Sequence, residues 1–213
     1  MSSIFKTLVN VAEPRQTRSR EALERFLVAG ERLLADNCYE EAGVAKIARA
    51  ARSSVGTFYR LLADKETLSL LLLQRFFTEM EVTTESTFDP LKWQGENITQ
   101  IAKTFVTLFV SLYQGRAGTL RALILMASRD PEFRTQVHQL NDLINQQLKV
   151  LLMRRKNEIT HPNPNRAINS VAYMVLGILN QYTITGSLGT LSKTNLIVEL
   201  TRVFVNYLGV KAK

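Results

Sequence analysis

A chain of 213 residues, 46% of them hydrophobic, is long enough to bury a sizeable core without outside help. Its single cysteine, Cys38, excludes an intramolecular disulfide framework, and no cysteine and histidine grouping has zinc-site spacing, so neither metal nor cofactor is expected. The net charge of +8 suits a polyanionic partner, while no run approaches the roughly 18 apolar residues of a membrane span and the opening MSSIFKTLVNVAEPRQ lacks the apolar core of a signal peptide, so a cytoplasmic protein with no membrane partner is expected.

Residues 1–16 have no hydrophobic period and break at Pro14, which reads as a flexible basic arm. Arg15, Arg18 and Arg20 follow one another with no acid between them until Glu21, and such an arm can track phosphates or enter a minor groove. A helical stripe of Leu23, Phe26, Leu27, Gly30, Leu33 and Leu34 follows, with Gly30 expected at a close helix crossing. The stretch Val44 to Leu68, VAKIARAARSSVGTFYRLLADKETL, then packs two short amphipathic helices, a tight turn and a third helix start into 25 residues. Val44, Ile47, Ala48 and Ala51 line one face of the first, and Lys46 and Arg49 lie on the other. Ser54 is placed to cap the second helix, where Phe58, Leu61 and Leu62 point inward and Val55, Gly56 and Thr57 leave an open first turn. Asp64 caps the third, setting the cation of Lys65 at the positive end of the helix dipole, where a phosphate would be a fitting neighbour. This is the pattern of a helix-turn-helix.

The apolar segment SLLLLQRFF opens a long helix toward Glu85 that predicts burial on more than one side, and Phe88-Asp89-Pro90 ends it. Ile98, Ile101, Phe105, Leu108, Phe109 and Leu112 form the next helical face, Gly115 and Gly118 punctuate, and Leu120 to Ser128 is a further helix. Pro131 is well placed to begin the helix that runs to about Lys156, and the prolines of His161-Pro162-Asn163-Pro164 mark a linker. Two helices near 165–187 and 192–208 are apolar on nearly every side and therefore need a second covering surface. No β-strand alternation is present, so an all-α chain of about nine helices is expected, divided into an arm (1–16), a helix-turn-helix domain (17–63) and a second helical domain (64–213).

Residues 1–70 hold 11 Lys and Arg against 9 Asp and Glu, so placement rather than total charge must carry any DNA contact. Ser53, Ser54, Val55, Thr57 and Arg60 are the groove-facing candidates: Val55 or the Thr57 methyl suits a thymine methyl, and Arg60 suits guanine or phosphate. Gly56 permits close backbone approach, while Tyr59, Lys65 and the arm arginines, Arg18 among them, would hold phosphates. An enzyme is disfavoured. His138 and His161 lie far apart with no partner acid at metal spacing, and Cys38 has no histidine or glycine-rich helix start beside it.

The series formed by the helix Arg18 to Asp36, VAKIARAA, SSVGTFYR and ADKETL resembles the TetR family of transcriptional regulators, and Leu120 to Leu152 and His161 to Gly186 resemble its second domain more loosely. The resemblance implies a homodimer formed by the last two helices, placing two recognition helices about 34–36 Å apart on a near-palindromic duplex operator, and a small-molecule effector that releases it as a derepressing ligand. It also implies a pocket, for which Phe105, Phe109, Tyr113, Leu123, Met126, Leu143, Met174, Ile178 and Asn180 are the lining candidates and a mostly apolar ligand is favoured. Four positions depart from the family pattern: Cys38 for glycine, Gly43 for a serine or threonine cap that also touches phosphate, Arg52 for the turn glycine, and Leu62 for an aromatic. If Arg52 takes a positive φ, strain of about 1–2 kcal/mol is expected, which a phosphate contact would offset. These departures also support an alternative, a helical protein-interaction regulator that has lost ordinary operator binding.

Overall fold

A computed structural model describes residues 8, 9, 14, 16–189 and 192–210, which contain nine α-helices, two 3-10 turns and no strand. The α-helices are α1 (Thr17–Ala35), α2 (Val44–Ala50), α3 (Val55–Leu61), α4 (Lys65–Thr87), α5 (Ile98–Gly115), α6 (Ala117–Arg129), α7 (Pro131–Met153), α8 (Pro164–Thr185) and α9 (Lys193–Leu208). Most start where a short polar side chain takes up the free N–H groups of the first turn. Ser54, Asp64, Asn97, Asp130, Asn163 and Ser192 all accept such a bond, and Asn97 and Gln100 form a reciprocal capping box. Proline opens α7 and α8, and glycines at positive φ, Gly186 and Gly209, close α8 and α9.

The expected arm, Arg15 included, falls outside the described residues apart from Leu8, Val9, Pro14 and Gln16. Arg18 and Arg20 do not belong to it. They lie in the first turn of α1, which begins once Gln16 O accepts from the Ser19 and Arg20 N–H groups and Ser19 and Ala22 turn inward. Gly118 likewise does not punctuate; it sits inside the first turn of α6, where a helix backbone passes close by.

The apolar residues gather into two cores joined by α4. Phe26, Ile47, Phe58 and Leu62 make the centre of the first, with Leu68 and Leu72 reaching it from α4. From the very next residue on, Leu73, Phe76, Phe77 and Met80 enter the second core, built on α5 to α9. The all-round apolar character of SLLLLQRFF is thus that of a helix packed into both units. Gly30 lets α1 cross α4 closely, since a Cβ there would lie 2.7 Å from Leu72 Cδ1. A charge chain follows the same junction: Arg116 meets Glu79 at 2.9 Å, and Arg75 meets Glu79, Glu24 and Glu31 at 3.6, 2.8 and 3.4 Å.

Candidate nucleic-acid interface and ligand cavity

α2 and α3 are held as a pair by the buried side chains Ile47, Ala48 and Phe58 and by the tight turn between them. The turn closes with Ser53 N–H donating to Ala48 O at 2.9 Å, which brings Arg52 to φ 49°. Arg25 Nε of α1 donates to Ala51 O at 3.2 Å and fixes the turn against the first helix. Arg52 therefore takes the left-handed backbone, a conformation that favours glycine. Arg52→Gly is expected to raise stability by up to about 1 kcal/mol, read as a higher urea midpoint at unchanged slope.

Beyond the turn, Ser54 Oγ accepts from Thr57 N–H at 3.0 Å and lies 2.9 Å from Thr57 Oγ1. Ser54, Val55, Gly56, Tyr59 and Arg60 are exposed along this helix, while Ser53 and Thr57 are half-buried. Tyr59 is 56% exposed, standing edge-on to Phe58 with ring centroids 5.5 Å apart. The exposed guanidinium of Arg60 donates to Ser19 Oγ at 3.3 Å, so it bridges α3 to α1. Arg18 is exposed at the start of α1. Gly43 opens α2 without a side-chain cap and has open space around it. Lys65 is more engaged than its sequence position suggests: Nζ donates to Glu40 O at 2.7 Å and lies 4.9 Å over the Tyr39 ring. Asp64 is held below the ordinary carboxylate range by the Thr67 backbone N–H and hydroxyl, so it keeps the negative charge that suits the start of α4.

Tyr39 anchors this end of α4, donating to Lys65 O at 3.1 Å and accepting from the Ser69 hydroxyl at 3.0 Å. Burial pushes its phenol up to about 12, with the Ser69 bond opposing and Glu40 reinforcing. A raised phenol value means that Tyr39 contributes full stability below its ordinary 10.0 and loses it as pH rises through about 12. Between those values the unfolded chain releases the proton and the folded one retains it. Tyr39→Phe is expected to flatten the fall in urea midpoint between pH 9 and pH 11.5 relative to the unsubstituted protein.

In the second unit a cavity of about 310 Å3 lies between α4, α5, α6, α7 and α8. Of the nine lining candidates, Phe109, Tyr113, Leu123 and Asn180 border it together. Tyr113 O–H donates to Asn180 Oδ1 at 2.8 Å, and burial pushes the phenol well above its usual range. Phe105 lies in the core against Phe88, Phe109 and Phe204, Met126 faces a different cavity, and Met174 is exposed. Leu143 and Ile178 are half-buried away from it. The walls include Phe76 and Met80 of α4, which also links to the first core. A polar side is formed by Ser128, Arg134, His138 and Asn141, with the Arg134 guanidinium donating to Ala127 O and Ser128 O at 2.7 and 3.2 Å. Volume, apolar walls and few polar groups match a small-molecule site.

The matching family model, Tetracyclin repressor-like, C-terminal domain, covers residues 98–208. The chain belongs to the TetR family of transcriptional regulators. Solved structures agree in fold at low identity. A TetR-family transcriptional regulator structure from Mesorhizobium loti has a TM-score of 0.71 and 19% identity, covering 91% of this chain and 98% of its own. The fatty acid degradation regulator FadR from Bacillus halodurans has a TM-score of 0.62 and 16% identity over 93% and 100% of the two chains. Reduced Escherichia coli NemR has a TM-score of 0.63 and 16% identity over 90% and 100%. No curated protein matches the chain by sequence.

Within this TetR-family fold, α2 and α3 are the helix-turn-helix and α5 to α9 the C-terminal domain. Lys46 and Arg49, not among the DNA-contact candidates, are exposed on α2 on the side away from the buried Ile47 and Ala48. Arg134, His138 and Asn141 were not among the lining candidates, yet their i, i+4, i+7 spacing places all three on one face of α7 at the cavity. That spacing was the available signal, hidden because each residue alone reads as a solvated polar group. Among the described residues no helix is long and apolar enough to cross a membrane, and no group of three His, Cys, Asp or Glu residues is placed to hold a metal.

Proposed function

We propose that this TetR-family regulator is a homodimeric repressor that reads a near-palindromic operator through α3 and is released by a small, mostly apolar ligand in the 310 Å3 cavity. The observation that carries the DNA reading is Gly56. It lies inside α3, is exposed, and has enough room that an added Cβ would meet nothing closer than Ser54 Oγ at 3.9 Å. Folding alone gives no reason for glycine there, since glycine in a helix costs about 0.5–1 kcal/mol relative to alanine. Close approach of a duplex at the helix start does give one. Ser53, Ser54, Val55, Thr57 and Arg60 then face the groove, while Arg18, Gly43, Arg52, Tyr59 and Lys65 position the backbone phosphates.

Gly56→Ala separates folding from recognition. It is expected to raise the unfolding free energy by about 0.5–1 kcal/mol while weakening binding to an operator selected from random duplexes by tenfold or more. Stability that rises with operator affinity unchanged would sink the proposed approach, and failure of the folded dimer to enrich any sequence would favour the protein-interaction reading.

The dimer is supported by the outer face of α8 and α9. Tyr173 and Met174 are each 42% exposed on α8, where Ile184 is exposed as well, and Val198 and Val203 are exposed on α9. Gly177 sits in the middle of α8 with nothing within 4 Å of an added Cβ, and a partner helix crossing there would use the space. Ligand coupling would run through α4 and α6, both of which wall the cavity and pack on α1. The ligand must bind the DNA-competent and incompetent states unequally for release to follow.

A further inference from the structure

Every residue around the 310 Å3 cavity lies between Phe76 and Asn180, a stretch the structure describes without a gap. Among these residues Arg134 is the single permanent charge, His138 stands one helical turn further along α7, and neither Asp nor Glu is present. The acids nearest to Arg134 in the chain are engaged elsewhere. Asp130 caps α7 and, with Glu132, lines a separate junction cavity where the helix-turn-helix unit meets α6 and α7, while Asp142 accepts from the Tyr173 hydroxyl at 3.1 Å. The wall between the two cavities is α6, with Leu123, Ile124 and Ala127 on the near side and Ala122, Leu125 and Met126 on the junction side.

The Arg134 guanidinium is held in place without being neutralised. Nε and Nη2 donate to Ala127 O and Ser128 O in the last turn of α6, whereas Nη1 makes no hydrogen bond, and the group no ion pair, among the described residues. Arg134 and His138 are both exposed while lining the cavity, so they stand at its mouth, open to an incoming group. The walls supplied by α4 and α5 are apolar: Phe76 and Met80, with Phe109 and Leu112. The same four residues border a further space of about 110 Å3, whose one carboxylate, Glu79, is paired with Arg116 at 2.9 Å. Apolar room thus continues past this wall, and unmatched positive charge is confined to the α7 side.

We propose that the ligand of the 310 Å3 cavity is an amphipathic carboxylate, whose head accepts from Arg134 Nη1 beside His138 and Asn141 and whose apolar body lies on Phe76, Met80 and Phe109. The site is the one proposed above for the effector, a reading on which this assignment rests. A guanidinium and a carboxylate form a charge-assisted pair, whereas a neutral ligand of the same shape would cover Arg134 without a counter-charge and an amine would meet a like charge. The body of such a ligand bears on α4, the helix that enters both cores, so its occupancy acts on the element leading to the helix-turn-helix.

The test titrates 4-phenylbutyrate into the full chain labelled with 13C-methyl methionine, near neutral pH. Met80 reports on this cavity and Met126 on the junction cavity. The expected result is a saturable shift of the Met80 methyl with Met126 left in place, at least tenfold weaker binding of 4-phenylbutanol at the same site, and weaker binding still of 4-phenylbutylamine. Arg134→Gln should lower the affinity for the acid to that for the alcohol while leaving the alcohol unchanged, which shows the cavity intact, and Arg134→Lys should restore part of the preference. Acid and alcohol binding equally at Met80, or a preference for the acid that survives in Arg134→Gln, would overturn the carboxylate assignment and leave the cavity standing as a ligand site. No saturable shift of Met80 by any of the three compounds up to about 10 mM would overturn the ligand site and the assignment together.

Discussion

Phe58→Ala is expected to destabilise the helix-turn-helix unit by about 3–5 kcal/mol, enough to melt it ahead of the rest of the chain. Phe58 is fully buried and meets Phe26 edge to face, with ring centroids 5.2 Å apart. α3 is a seven-residue helix whose only fully buried side chain is Phe58, so nothing else on it replaces the lost contact. Short helices owe their stability to such packing rather than to their own propensity. Thermal unfolding followed by circular dichroism should show an early transition of partial amplitude, with the second core, which Phe58 does not touch, melting later. A single transition shifted by less than about 1 kcal/mol would show that α3 is held by something other than this aromatic pair. Phe58→Leu, which preserves much of the volume, should recover most of the loss.

Gly118→Ala should cost about 3 kcal/mol although it adds a single methyl group. The new Cβ would lie 1.7 Å from Leu34 O and 2.4 Å from Leu34 C, and both are backbone atoms of α1 that cannot rotate aside. The helices must therefore separate. Separation also strains the contacts beside the crossing: Arg121 Nη1 donates to Asn37 Oδ1 at 3.2 Å, and Nη2 of the same guanidinium donates to Thr183 O at 3.0 Å. Because α6 walls the 310 Å3 cavity, the variant is expected to lose the link between the cavity and α1 as well as stability. The checks are the urea midpoint, which should fall, and the rate of limited proteolysis in the loop 36–43, which should rise several-fold. Gly30→Ala offers an internal comparison. Its Cβ meets the end of a flexible leucine side chain at 2.7 Å, so the neighbour can rotate and the cost should be smaller.

The local parts of the fold were legible because their causes lie within a few residues. Ser54 and Asp64 cap α3 and α4 as their chemistry requires, Pro131 opens α7, and the stripe through Ile47 and Phe58 is buried. The all-α class follows from the same short-range pattern. The cavity was legible only in part. Phe109, Tyr113, Leu123 and Asn180 line it, but helical period says which residues turn inward and not which of two interiors they meet. Met126 shows the limit: it turns inward as its period requires, yet into the junction space on the other side of α6.

Gly118 and Lys65 show the same division from the side of single residues. In sequence, Gly118 reads as punctuation and Lys65 as a free cation at a helix start. In the fold, the first is where two backbones meet, and the second is directed to the Glu40 carbonyl and the Tyr39 ring. The amino-acid sequence by itself determined the helices, the caps of α3 and α4 and the tight turn between α2 and α3, because each depends on neighbours three to seven positions away. Tertiary structure alone decided that α4 serves two cores and that α6 divides two cavities, because those depend on which helix faces come together after the chain has folded.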